Sequence, residues 1–207
     1  MLTFRQARPE DEEALYAICL ATGDSGRDAS HLYGDEKLVG SIYAVPYLHL
    51  CPDNAFVAED QHGVCGYIVG ATDTAAYEER LEQTWWPKLR ELYPLAEDEA
   101  NDLPEEHRKR VGLIHQPSPM PASVLQSYPA HIHMNLLERA RGTGGGSRLL
   151  SMWVEMARSK GIPGIHIGAN PDNRNGIAFW QSRGFSPLAG MPPGTAWFGM
   201  SLGALAQ

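Results

Sequence analysis

Leu2 and Phe4 alternate with Thr3 and Arg5, the period-two pattern of a half-buried strand, and Pro9 stands where a helix takes its first residue. Asp11, Glu12 and Glu13 then put negative charge in the first turn, where the helix dipole favours it, and Ala14, Leu15, Ile18 and Cys19 form one apolar face. The pattern predicts a strand, then a helix. Residues 23–30, with two glycines and two aspartates, read as a loop, and a second helix is predicted over about 36–47. Two short apolar runs, 55–59 and 64–71, flank Asp60-Gln61-His62-Gly63, a hairpin signal that predicts two antiparallel strands. From residue 72 to about 110 the texture turns helical: Leu81, Trp85, Leu89 and Leu92 recur at helical spacing, with Pro87 set to break or start a helix near Trp86. We read a helical insertion over about 72–117. Inside it, six acidic residues over 97–106 precede His107-Arg108-Lys109-Arg110, the pattern of a solvated charged face. Residues 118–127, with two prolines, read as loop.

The 207 residues are 43% hydrophobic and 20% charged, the mixture of one ordinary globular domain over 1–207, which excludes wholesale disorder, collagen and coiled coil. A formal charge of −8 leaves no broad basic surface for a phosphate backbone, so nucleic acid is not an expected partner. Cys19, Cys51 and Cys65 make an odd count without C-x-x-C spacing, which points away from a disulfide framework or a cysteine zinc cage and toward the reducing cytoplasm. Acidic residues occupy the N-terminal positions where a signal peptide has its apolar stretch, and no segment approaches the roughly 18 apolar residues of a membrane span. A cytoplasmic protein without a membrane partner is therefore expected.

The chemistry concentrates after residue 130. Residues 130–137 (A-H-I-H-M-N-L-L) read as a strand that runs almost directly into Arg141-Gly142-Thr143-Gly144-Gly145-Gly146, and a helix with Leu149, Leu150, Trp153 and Met156 on one face follows. Strand, glycine loop and helix together present unpaired N–H groups at the positive end of a helix dipole, which makes a phosphate cradle. Glycine lets an anion approach the backbone and permits positive φ. A Walker loop needs Lys then Ser/Thr after its last glycine, whereas Ser147-Arg148 follow Gly146. The dinucleotide fingerprint fails at Ser147, where it requires glycine.

R-x-x-G-x-G, with Arg141, Gly144 and Gly146 in register, resembles the pyrophosphate loop of the GNAT N-acetyltransferases. The apolar strand near 164–169, the run Asn173-Arg174-Asn175-Gly176-Ile177-Ala178-Phe179-Trp180 and Arg183-Gly184-Phe185 resemble the same family's later segments, as do the opening at 5–11 and the hairpin at 56–67. W-W-P-K-L-R-E-L-Y-P in the insertion and Y-P-A-H-I-H-M-N-L-L are similar to bacterial relatives of the acetyltransferase-like domain of eukaryotic O-GlcNAcase. The resemblance implies an α/β fold: a mixed, twisted sheet of about seven strands flanked by helices, with the strands near 130 and 164 parallel and the helical insertion between strands 3 and 4. It implies acetyl-CoA as acyl donor and an amine, of a small molecule or a protein, as acceptor. A catalytically silent acetyl-CoA-binding module is the alternative.

On this resemblance the N–H groups of Arg141, Gly142, Thr143, Gly144, Gly145 and Gly146 would hold the pyrophosphate. Leu136 and Leu137 would pair with the pantetheine arm, and Asn173 would hydrogen-bond it. The attacking amine must be neutral, so a general base is wanted; His133 is the first candidate and His131 the second, two apart on the strand and hence on one sheet face. Packing histidines and, more remotely, a metal pair are the competing readings. The family's proton-donating tyrosine falls at Trp180, whose indole N–H is no acid near neutral pH. Trp180 would then pack against cofactor or core, and Tyr128 could protonate the thiolate instead, or the thiolate could leave unaided. Asp24, Asp28, His31 and Tyr33 could contact a cationic amine or serve as turn residues. Trp85, Trp86 and Tyr93 could wall the acceptor cleft or belong to the core.

Overall fold

The computed structural model describes residues 1–95 and 102–203. The chain opens with β1 (Thr3–Gln6), a 3-10 turn at Pro9–Asp11 and α1 (Glu12–Thr22), as the alternation and the acidic first turn predict. Arg5 locks strand to helix through a forked pair with Asp11 at 2.7 and 2.8 Å and a bond to Glu59 at 3.0 Å. Leu15, Ile18 and Cys19 turn inward from α1.

The single helix expected over 36–47 is two, α2 (Leu38–Tyr43) and α3 (Val45–Leu50). Pro46 cannot donate to the carbonyl four residues back and its ring crowds that turn, so the chain leaves the helical region at Ala44 (φ −134°, ψ −59°) and restarts with proline in the first turn. The hairpin follows as β2 (Phe56–Asp60) and β3 (Gly63–Ala71). The insertion holds α4 (Thr74–Arg80), a π turn at Leu81–Trp85, α5 (Trp86–Leu92) and α6 (Glu105–His115). Pro87 opens α5, and the π turn just before it absorbs the missing donor. The acidic run lies partly outside the described residues; Glu105 and Glu106 stand on α6 and pair with Lys109. A short helix, α7 (Ala122–Leu125), occupies the expected 118–127 loop.

Next come β4 (Ala130–Leu136), α8 (Gly145–Ser159), β5 (Gly164–Ala169), α9 (Arg174–Ser182), β6 (Ser186–Pro187) and β7 (Ala196–Ser201). The seven strands form one mixed sheet in the order β1-β2-β3-β4-β5-β7-β6, and only β4 and β5, joined through α8, are parallel. Each face carries its own core. Tyr67, Val69 and Ala71 meet α1, α2, α3 and the insertion, while Ile68, Ile132, Ile165 and Ile167 meet Leu149, Leu150 and Trp153 of α8. Trp153 is fully buried and its indole N–H donates to the Asn54 carbonyl at 3.0 Å, so its large apolar area carries no unpaired donor. No helix among the described residues is long and apolar enough to cross a membrane.

Candidate cofactor cleft

β4 and β5 pair only at Ala130↔Ile165 and His131↔His166; both strands then run on unpaired to each other, and the sheet splits. β4 keeps β3 on its other side as far as Leu136. Leu137 N–H donates to the Cys65 carbonyl at 2.8 Å, which fixes the parity: residues 133, 135 and 137 aim their main chain at β3, and Met134 and Leu136 aim theirs at the split. Leu137 is thus committed, since its carbonyl also accepts from Ala140 at 2.9 Å, and the strand edge expected at Leu136 and Leu137 is instead offered by Met134 and by the N–H of Leu136, whose carbonyl accepts from Arg141 Nε at 2.9 Å.

At the end of the split the chain makes a 3-10 turn (Glu138–Ala140) and enters the glycine loop. Gly142 (φ 70°) and Gly144 (φ 85°) both take the left-handed conformation, and Gly144 caps α8. Arg141 N–H reaches the Glu138 carbonyl and Arg148 N–H the Gly144 carbonyl, each at 3.0 Å. Between them, among the described residues, only Gly145 N–H has an acceptor, Thr143 Oγ1 at 3.4 Å. The N–H groups of Gly142, Thr143, Gly144, Gly146 and Ser147 remain unpaired at a helix N-terminus, a donor set that fits the diphosphate of a coenzyme A. A groove of about 500 Å³ flanks the loop between Thr143, Gly144 and Arg148 on one side and Leu2 and Phe4 on the other. The Arg141 side chain turns elsewhere: Nε donates to the Leu136 carbonyl at 2.9 Å and Nη2 to the Gly26 carbonyl at 2.6 Å. Asn173 caps α9, its Oδ1 accepting from Gly176 N–H at 2.9 Å.

His131 and His133 do share a sheet face, with His166 beside them at ring-centroid distances of 6.0 Å (His131 to His133) and 5.6 Å (His131 to His166). His131 is spoken for on both nitrogens. The Thr74 hydroxyl gives its proton to the Pro129 carbonyl at 2.7 Å, so it accepts from His131 Nδ1–H at 2.7 Å, and His131 Nε2 accepts from the Tyr47 hydroxyl at 2.7 Å. That assignment makes His131 a structural imidazole. Burial, then the neighbouring His133 and His166, hold its pKa well below the ordinary value. His133 is half-buried against the rings of Tyr43 (5.5 Å) and Tyr47 (5.6 Å), and burial followed by His166 pushes it down to about 4. His166 is lowered by burial against the opposing effect of its Nδ1–H bond to the Tyr128 carbonyl at 2.7 Å. Among the described residues no carboxylate contributes to any of the three. Among the described residues no three His, Cys, Asp or Glu side chains are grouped to hold a metal ion.

Tyr128 does not stand at the split. Its ring lies over Gly164 and Gly199, at the closed end where β5 begins, so the proton-donor role expected for it has no geometric support. Trp180 is 8% exposed, edge-on to Phe179 (5.1 Å) and Phe185 (5.2 Å), and belongs to the core rather than to the cofactor edge. Asp24 pairs with Arg27 at 3.0 Å, Asp28 accepts from Ser30, His31 is exposed and Tyr33 is buried beside Arg110. Trp86 and Tyr93 are core residues, and Trp85 donates its indole N–H to the Ser41 carbonyl at 2.9 Å, tying the insertion to α2. Sequence reasoning missed Tyr43, Tyr47 and His166. For His166 a signal existed: an imidazole inside the apolar run Ile165-His166-Ile167.

A family model described as the acetyltransferase (GNAT) family matches residues 3–185. Protein O-GlcNAcase of Rattus norvegicus, and that of Mus musculus, are 26% identical over 208 residues, covering 97% of this chain and 22% of theirs. The chain therefore spans about a fifth of the length of these relatives. The crystal structure of SsHAT superimposes with a TM-score of 0.88 at 31% identity, covering 98% of each chain. The structure of yncA from Salmonella typhimurium, solved with its cofactor acetyl-CoA, shares the fold at a TM-score of 0.54 and 15% identity, covering 100% of this chain and 96% of that one.

Proposed function

The chain belongs to the GNAT acetyltransferase family, and on that premise we propose that it moves the acetyl group of acetyl-CoA to an amine of a small molecule or a protein by direct attack on the thioester. The observation that carries the reading is the juxtaposition of five unpaired N–H groups around Thr143 with the split between β4 and β5. When bound, acetyl-CoA supplies an acyl carbon activated as a thioester and a thiolate able to leave.

The protein's own groups divide the remaining work. The loop amides hold the diphosphate, and Met134 and Leu136, turned to the split, pair with the arm as an added strand would. Asn173 has its Oδ1 engaged as a cap, which leaves its Nδ2 to donate to the arm. Met134 N–H is the donor available to the oxygen on which charge develops. His133, neutral at pH 7 because burial holds it near 4, can take a proton from the amine but is a weak base. An acceptor already neutral at working pH suits it.

Calorimetric titration with acetyl-CoA tests the first step and release of free CoA with a panel of amines tests the second. Saturable heat and amine-dependent CoA release are expected; absence of saturable heat ends the reading at its first step.

A further inference from the structure

The arginine of R-x-x-G-x-G is conspicuous for where its side chain goes. Its two bonds join the end of β4 to a loop 115 residues earlier in the chain, and both acceptors are neutral carbonyls. No acid pairs with Arg141 among the described residues. The loop it grips is built to present that carbonyl. Asp24 and Arg27 exchange two main-chain bonds, at 3.1 and 2.9 Å, around a two-residue tip, and Ser25 (φ 52°) and Gly26 (φ 90°) both adopt the left-handed region, as a type I′ turn demands. A serine rarely holds that conformation unless its surroundings enforce it. The root of the loop is tied as well, because Asn135 Nδ2 donates to Thr22 Oγ1 at 2.5 Å. Root and tip are thus both fastened to the strand that flanks the split and to the loop that follows it. The segment lies over the sheet face that carries His133 and Asn135, while the opposite face is filled by α8.

We propose that Arg141 is a positioning residue: by bridging the Leu136 and Gly26 carbonyls it couples the diphosphate cradle to the 23–30 loop, so that filling the cradle orders the face from which an acceptor amine approaches. The inference rests on the function proposed above. Its physical basis is entropy. Arg141 is the residue from which the cradle loop departs, so an anion held by the amides of 142–147 orders the main chain that carries its guanidinium, and a fork already seated on the Leu136 and Gly26 carbonyls loses rotamer freedom with it. The loop then loses less freedom when a second ligand settles on it, and the coupling is reciprocal.

Amide hydrogen exchange on the full chain, with and without saturating acetyl-CoA, tests this on wild type, Arg141→Ala, Arg141→Lys and Gly26→Ala. In wild type both 142–148 and 23–32 should slow, the latter about fivefold or more. In Arg141→Ala the cradle should still respond, because its donors are main chain, while 23–32 should not. Lysine should fail to rescue, since one ammonium cannot bridge two carbonyls as a planar fork does. Gly26→Ala, strained at positive φ, should give the same split from the loop's side. Equal slowing of 23–32 in wild type and Arg141→Ala, or no slowing there in wild type while 142–148 respond, overturns the coupling. A cradle that never responds overturns the proposed function itself, and this inference with it.

Discussion

A histidine kept neutral by burial turns against the fold as the solvent acidifies. His133 titrates at about 4 in the folded protein and His131 well below its ordinary value, whereas an unfolded imidazole titrates near 6.5. Through that window the unfolded chain binds more protons than the folded one, so stability rises with pH and is lost as pH falls from about 6.5 toward 4. For His133 the loss by pH 5 is on the order of 2 kcal/mol. Asp11, held below the usual carboxylate range chiefly by Arg5, stays ionised there, and its contribution disappears only at lower pH. Glu78 is raised by burial and works in the opposite sense, equally in wild type and variant. Urea midpoints at pH 7 and pH 5 should therefore fall in wild type and fall distinctly less in His133→Gln. Identical shifts in the two proteins would show that His133 is not desolvated as the structure has it.

At the scale of elements, two N-caps separate structural from functional hydrogen bonding. Asp73 Oδ1 accepts from Ala76 N–H at 3.0 Å at the start of α4, and Asn173 does the same for α9 at 2.9 Å. Alanine at either position should cost about 1 kcal/mol of stability. Only Asn173→Ala should also weaken acetyl-CoA binding, because only that cap borders the proposed arm site; equal affinities in a calorimeter would reduce Asn173 to a cap. The Asp60-to-Gly63 hairpin and the glycine loop were legible because each is written in a few consecutive residues. The split was not. Alternation along 130–136 tells which face a side chain takes, but nothing local tells how far β4 stays paired with a strand more than 30 residues away. Tyr128 escaped for the same reason, since its place depends on Gly164 and Gly199 closing around it, while for Trp180 the sequence left cofactor and core both open and the packing of Phe179 and Phe185 decides for the core. Pro46 is a different case, for the break after α2 was written in the chain and the apolar run around it concealed it.

For the molecule as a whole, the seam between β4 and β5 is where the interior of the sheet has least to hold it, since the other two-pair contact, β6 on β7, lies at the sheet's edge. β3 meets β4 over six residue pairs and β5 meets β7 over six, but β4 meets β5 over two. The cores on the two faces support each side of the seam, yet the main chain of Met134 and the N–H of Leu136 look into it without a strand partner. A ligand laid along that edge and anchored on the amides at 142–147 would join β4 to the start of α8 and the cap of α9, and would bind the folded chain alone. Mass action then fixes the gain: at a hundred times Kd the folded state is favoured by about 2.7 kcal/mol, which for a chain of this size raises Tm by roughly 5–10 °C. Gly144→Val should abolish most of that shift, because a β-branched side chain resists the φ of 85° that aims the loop amides outward. Trp180→Phe should lower the unliganded Tm and keep the shift, since its ring serves the core. Thermal melts of the three proteins with and without acetyl-CoA decide it: a full shift in Gly144→Val would place the anion off the loop, and a lost shift in Trp180→Phe would return that ring to the cofactor edge.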